Sequence, residues 1–367
     1  MDFTYLIPEA ITTGVLVQEL NGYKCIEPND PVIDIEYFSG GFCQTYPLEK
    51  NGAPKKCFRL WMDNTRIGDI EHVKQVASYF TDNTIKYVIP YRYYEKALKL
   101  NNGVIIPGVV MDWVEGETLI NYVKHHRKAK TTIQKLATKF YNMAEYLNDN
   151  EMAHGDLSGD NIIVQPSGEL CLIDYDSFFI HGFKMVEQPT AGISCYQHVE
   201  RKSNKYLSKN MDYFSQQVIY LSLLAISKNP QLGDLIGDKE LLFLGDDFQN
   251  EEKFINSRGC KEIIKINDSE LLFRLDELRK SVSLPLSKVQ SVCQYKEHTI
   301  EPTKEPVKTV GTAKITGTTK TTGEIKKTET SGVVNEPAFK YVYCPNCGTK
   351  YYKPISKYCH HCGKKRE

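Results

Sequence analysis

The chain has 367 residues, enough for two or three domains, and is 41% hydrophobic and 25% charged, a make-up that can build a sizeable core. Its 46 Lys and Arg balance its 46 Asp and Glu, so bulk charge selects neither nucleic acid nor an acidic membrane surface as partner. No basic stretch followed by an apolar one opens the chain, and the longest apolar run, Val218 to Ile226, is too short for a bilayer; neither a secretory signal nor a membrane span is expected.

Residues 1–32 read as an N-terminal extension. Residues 33–62 alternate β-rich runs with turn signals at Ser39-Gly40-Gly41 and Asn51-Gly52, which predicts antiparallel strands. From Ile70, the spacing of Val73, Val76, Ala77 and Phe80 predicts an amphipathic helix. Two strand-like runs follow, Lys86 to Leu100 and Val104 to Val114, joined by the Asn101-Asn102-Gly103 turn as a hairpin.

After Gly116 the pattern turns helical. Ile133, Leu136, Ala137, Phe140, Met143, Ala144 and Leu147 form one apolar stripe on a long helix. Two short β-rich runs between Ile162 and Ile180 flank Pro166-Ser167-Gly168, and the run Val218 to Ile226 has the all-round apolarity of a buried helix. A β-rich half followed by a helix-rich half is an α+β organisation. From about Glu297 to Glu336 the chain is rich in Thr, Lys and Gly with few large apolar residues, so it cannot offset its own ordering entropy and reads as a disordered tether; its hydroxyls are also candidate autophosphorylation targets.

The strongest chemical signal is His154-Gly155-Asp156-Leu157-Ser158-Gly159-Asp160-Asn161, followed by Leu172-Ile173-Asp174-Tyr175-Asp176. Phosphoryl transfer needs a carboxylate at the acceptor hydroxyl and hard oxygen ligands for Mg²⁺ on the phosphates. Asp156 suits the first role; Asn161 and Asp174, brought together by a strand hairpin, suit the second. This stretch resembles the protein-kinase superfamily pattern H-R-D-L-x-x-x-N followed by D-F-G. His154, Asp156, Leu157 and Asn161 match it position for position. The segment Gly192 to Glu200 looks like the one ending in A-P-E, with Glu200 as its closing glutamate. Asp212 sits where the family keeps a buried aspartate that holds the catalytic loop, and Asp112-Trp113-Val114 looks like the hinge whose backbone binds adenine.

The departures fall on the phosphate-handling parts. Of the glycine loop only Gly40 stays in register, with Gly41 as an extra. Arg59 stands in the slot of the phosphate-binding lysine; Lys55 and Lys56 are nearby, but strand alternation favours Arg59. Its carboxylate partner is expected on the following helix, at Glu71 or, second, Asp69. Gly155 replaces the arginine that reads a phosphorylated activation segment, Ser158 replaces a lysine beside the transferred phosphate, and Asp176 adds negative charge near the metal.

Of eleven cysteines, seven stand singly, which suits a reducing, cytoplasmic setting. The other four, Cys344, Cys347, Cys359 and Cys362, form two C-x₂-C-G knuckles at the C-terminus, a thiolate set for tetrahedral Zn²⁺ that resembles the zinc-ribbon family. So short a piece draws its folding energy from the metal. His360 and His361 read as surface residues. The lysines and tyrosines interleaved through this tail are compatible with nucleic acid, but a patch this small is commonly a solvated face, and a protein contact is the reading taken.

The fold expected is therefore α+β: a two-lobed protein-kinase-like fold, residues 33–115 and 116–290, then a linker at 291–338 and a small four-cysteine zinc ribbon at 339–367. The expected cofactors are ATP, Mg²⁺ and Zn²⁺. The expected function is a phosphotransferase acting on Ser/Thr hydroxyls of a protein substrate. Two alternatives stand beside it: a pseudokinase that holds nucleotide and binds a protein partner, and a small-molecule kinase.

Overall fold

The computed structural model describes residues 6–26, 36–39, 43–61 and 70–294. Gly40, Gly41, Asp69, the Thr/Lys-rich segment and all four paired cysteines lie outside the described residues. The architecture is mixed helix and sheet, α+β. Among the described residues no helix is long and apolar enough to cross a membrane.

The first part is built on a sheet. After a short helix α1 (Ile7–Ala10) come strands β1 (Lys24–Cys25), β2 (Phe38–Ser39), β3 (Cys43–Glu49) and β4 (Lys56–Trp61). Helix α2 (Ile70–Asp82) follows, then β5 (Tyr91–Lys99) and β6 (Ile105–Asp112). The strands pair antiparallel in the order β1-β3-β4-β6-β5, with β2 also on β3. Alternation along β4 sends Cys57 and Trp61 to the face covered by α2, while Phe58 and Leu60 face the other side. The β5–β6 turn places Gly103 at φ +87°, and Asn102 caps it by accepting from the Val104 N–H at 3.0 Å. The expected strand from Lys86 begins only at Tyr91: Tyr87 is left-handed at φ +68° and Pro90 lacks a ladder donor, so 86–90 is a connector.

The N-terminal extension is built into this part. Ile7, Ala10, Ile11, Val17 and Leu20 bury the outer face of the sheet against Tyr46, Leu48, Phe58, Leu60, Leu98 and Val110. Backbone bonds from Leu16 N–H to Ala97 O, 2.9 Å, and from Lys99 N–H to Gly14 O, 2.8 Å, stitch it to β5.

The second part is mainly helical. Strand β7 (Glu117–Thr118) leads into α3 (Leu119–His126), capped by the Thr118 hydroxyl, and α4 (Lys130–Asp149). Next come β8 (Met152–Ala153), β9 (Ile162–Val164), β10 (Leu170–Leu172) and β11 (Phe179–Ile180), then α5 (Tyr213–Lys228), α6 (Glu251–Asn256), α7 (Arg258–Ile266) and α8 (Ser269–Ser283). The predicted α4 stripe is the face it buries, and α5 is buried almost all round. The hairpin β9–β10 pairs Ile162 with Leu172. One apolar core runs through both parts: Val76, Phe80 and Tyr91 join Tyr175, Phe178 and the buried faces of α4 and α5.

Candidate active site

The site lies where the inner face of the sheet meets the β8–β10 loops. The β9–β10 hairpin sets its geometry, because the Ile173 N–H donates to the Asn161 carbonyl at 3.0 Å and so brings Asp174 beside Asn161. The Asn161 Nδ2 donates to the Asp156 carbonyl at 2.7 Å. That bond fixes the amide so that its oxygen is the end left to bind a cation. Asp156, Asn161 and Asp174 thus come together from two neighbouring loops.

Asp212 holds the loop from beneath. Its carboxylate accepts from the His154 N–H at 2.5 Å and the Gly155 N–H at 2.9 Å, and burial pushes its pKa up against those bonds. His154 Nε2 meets the Ile173 carbonyl at 2.8 Å, tying the two loops together. Gly155 has φ +80°, and a Cβ there would stand 2.2 Å from the Ser177 carbonyl oxygen. Glycine is therefore a steric requirement of this loop. Ser158 is fully buried, and its hydroxyl makes no hydrogen bond within the protein.

Arg59 reaches this cluster from β4. Its guanidinium donates to Asp174 Oδ1 at 2.8 Å, to Asp176 Oδ1 at 2.8 Å and to Asp176 Oδ2 at 3.0 Å. Burial opposes the charge on Arg59, but Asp174 and Asp176 more than offset it and raise its pKa. Burial pushes the Asp176 carboxyl up, against the pull of Arg59. Lys55 and Lys56 turn away, onto Glu115 at 3.3 Å and Asp112 at 2.6 Å. The expected partner Glu71 stands in the first turn of α2, whereas the ion pairs of Arg59 run to Asp174 and Asp176. The reason is local: Asp174 and Asp176 share one turn, and their two carboxylates match the guanidinium fork.

On helix α2, His72 Nε2 contacts the Phe178 carbonyl at 2.9 Å. At the strand-to-helix crossing, the Trp113 backbone N–H donates to the Lys55 carbonyl at 3.0 Å, and the Trp113 ring lies 5.8 Å from that of Phe38. Asp112 is exposed and Val114 half-buried. Glu200 accepts from the Leu286 N–H at 2.8 Å, pinning its segment to the turn after α8.

Asp156 is mostly enclosed. Burial pushes its carboxyl up, His154 opposes that, and Asp174 adds to it. Its Oδ1 is buried without a hydrogen-bond partner. Arg201 lies behind it, fully buried, donating to Gly155 O, Gln188 Oε1 and Gln197 Oε1. Sequence reasoning does not reach Arg201, Gln197 or His72, because each acts from a segment whose packing no local pattern reveals.

Among the described residues no group of three or more His, Cys, Asp or Glu side chains is arranged to hold a metal. Mg²⁺ does not need one, since it keeps waters and substrate phosphates around one or two protein oxygens. Asn161 Oδ1 and Asp174, whose side chain is 43% exposed, fit that demand in charge and hardness, with Arg59 bonding one of the Asp174 oxygens. Compared with known proteins, the chain matches no family model and no curated protein.

Proposed function

We propose that the described part of the chain is a two-lobed protein-kinase-like phosphotransferase that uses ATP and acts on Ser/Thr hydroxyls. The observation that carries this reading is the convergence of Asp156, Asn161 and Asp174, faced across the cleft by the guanidinium of Arg59. A dedicated carboxylate, a pair of hard oxygens and a guanidinium brought together form a set suited to phosphoryl transfer.

In this reading Asp156 orients the acceptor hydroxyl and takes its proton as the oxygen attacks the γ-phosphorus, while the bond to the β-phosphate breaks and the nucleoside diphosphate leaves. Asn161 and Asp174 would hold Mg²⁺, which supplies positive charge to the phosphates. Arg59 exchanges part of its hold on Asp174 for the nucleotide and keeps Asp176 as its anchor. Asp212 and His154 keep the loop rigid. The backbone of residues 112–114 would meet adenine beside the paired Phe38 and Trp113 rings.

The second reading, a pseudokinase that holds nucleotide and binds a partner, draws on one observation as well. Arg59 neutralises much of Asp174, and no lysine replaces Ser158 beside the phosphate. For the C-terminal knuckles the proposal is a four-cysteine zinc ribbon that contacts protein; it rests on spacing alone, with Cys344, Cys347, Cys359 and Cys362 as ligands.

Label transfer from γ-labelled ATP with Mg²⁺, to the chain itself or to a generic protein acceptor, tests the first reading. Transfer by the wild type that disappears in Asp156→Ala is the expected result. Nucleotide-dependent thermal stabilisation without transfer selects the second reading, and neither effect overturns both.

A further inference from the structure

Arg201 carries a charge into the interior and directs it at neutral oxygens. It sits in the short turn Val199–Lys202 and is 1% exposed. Its Nε donates to Gln197 Oε1 at 3.3 Å, one terminal nitrogen to Gln188 Oε1 and the other to the Gly155 carbonyl. Gln188 returns a bond, from its Nε2 to the Arg201 carbonyl at 2.8 Å. Burial pushes the Arg201 pKa down, and Asp212 and Asp156 oppose that through space. An apolar side chain of similar volume avoids the desolvation altogether, so packing alone does not account for an arginine here. What a guanidinium offers is three nitrogens in one plane, each able to meet a different acceptor.

One of those acceptors belongs to the peptide group that carries Asp156. The Gly155 carbonyl and the Asp156 N–H share a single planar unit. Arg201 holds its oxygen, and His154 Nδ1 accepts from its N–H at 3.3 Å. Fixing both edges of that plane fixes the Asp156 Cα and the direction in which its side chain leaves. The other two acceptors, Gln188 and Gln197, stand at the two ends of the segment that packs on the carboxylate itself. Within it the Ile193 N–H donates to Asp156, and Gly192 runs so close that a Cβ there would stand 2.7 Å from Asp156 Oδ1. Arg201 therefore ties both ends of this segment to the backbone of the loop beneath it.

We propose that Arg201 is a positioning residue for Asp156: its guanidinium fastens residues 188–197 to the Gly155–Asp156 peptide, so that segment and loop move as one body and the carboxylate keeps its aim during transfer. This inference rests on the phosphotransferase reading for its effect on catalysis, and on the three hydrogen bonds of Arg201 for the coupling itself.

Two measurements on the full chain separate those supports. Hydrogen exchange read by mass spectrometry reports the coupling with no chemistry involved. Arg201→Lys keeps the charge but cannot meet three oxygens at once. Gln188→Ala, at a half-buried position, removes one bond and leaves the guanidinium in place, so it serves even if the first variant folds poorly. In both, peptides covering residues 153–161 and 188–198 should exchange roughly tenfold faster, and together, while α4 and α5 keep wild-type rates. Faster exchange in 188–198 alone overturns the coupling. So does an even rise that includes α4 and α5, which is what a merely structural role produces. In transfer assays Arg201→Lys should lower kcat roughly 100-fold, the scale for a reacting group displaced by a change outside the chemistry. Gln188→Ala should lower it roughly tenfold, with the KM for ATP within about twofold of wild type in both variants. An unchanged kcat in both overturns the positioning role. A wild type with no transfer whose variants still loosen the two segments together sinks the phosphotransferase reading and supports the coupling.

Discussion

Arg59 illustrates how the kind of cation in a site distributes charge around it. A lysine ammonium is a point charge that one carboxylate can satisfy, whereas the guanidinium fork takes two, and here Asp174 and Asp176 fill it. The Arg59 side chain is only 12% exposed, so removing it strands two carboxylates at the edge of the core. Arg59→Ala is expected to cost about 3 kcal/mol of folding stability, the low end for breaking a buried pair from one side, because Asp174 is 43% exposed and can rehydrate. Arg59→Lys keeps the charge but cannot reach both partners, and should cost about 1.5–3 kcal/mol, the worth of one charge-assisted hydrogen bond. Urea denaturation of both variants measures this; a loss under about 1 kcal/mol for Arg59→Ala would mean the clamp is not structural. Strand alternation and the register of Trp61 singled out Arg59 over Lys55 and Lys56 in the sequence. Its partner was not legible there, because Asp176 reads in sequence as one more negative charge near a metal, and only the turn at Asp174, at φ +68°, aims it at Arg59.

Among the elements, the helices and hairpins of the helical part were the most legible. The stripe on α4 and the turn signals at Pro166-Ser167-Gly168 are local features, and local periodicity is what a sequence displays best. The role of residues 6–20 was not legible, although Ile7, Ala10 and Ile11 already carry the i, i+3, i+4 spacing of a buried face. A four-residue helix is too short to stand on its own, and its partner surface on β3 to β6 is assembled from strands far along the chain. The packing makes this element a structural requirement. Ile7 is fully buried, and Ile7→Ala is expected to cost about 2–5 kcal/mol, as large-to-small changes in a core do. A calorimetric melt of the variant checks it. No shift of the transition would mean that α1 only rests on the sheet.

At the level of the molecule, the question is whether the sheet part and the helical part form one cooperative unit. A hinge at residues 112–116 alone would let them open independently. The packing argues otherwise, because a continuous apolar core crosses between them and Tyr175 is bonded to both sides. Its hydroxyl donates to the Leu172 carbonyl at 2.5 Å, at the end of β10, and accepts from the Ile89 N–H at 2.9 Å, in the connector leading to β5. Its ring stacks on Tyr91 at 5.6 Å and meets Phe80 of α2 edge-on at 5.1 Å. Tyr175→Phe keeps the ring and removes only the hydroxyl. It leaves the Ile89 N–H unsatisfied and the Leu172 carbonyl with only the Cys171 thiol at 3.4 Å, a cost of about 1–3 kcal/mol. If the two parts unfold together, native-state hydrogen exchange should show that loss alike in the β4–β6 amides and in α4 and α5. Faster exchange confined to residues 86–90 would instead mean that the halves open separately, and that the cleft between them is governed by its hinge rather than by the shared core.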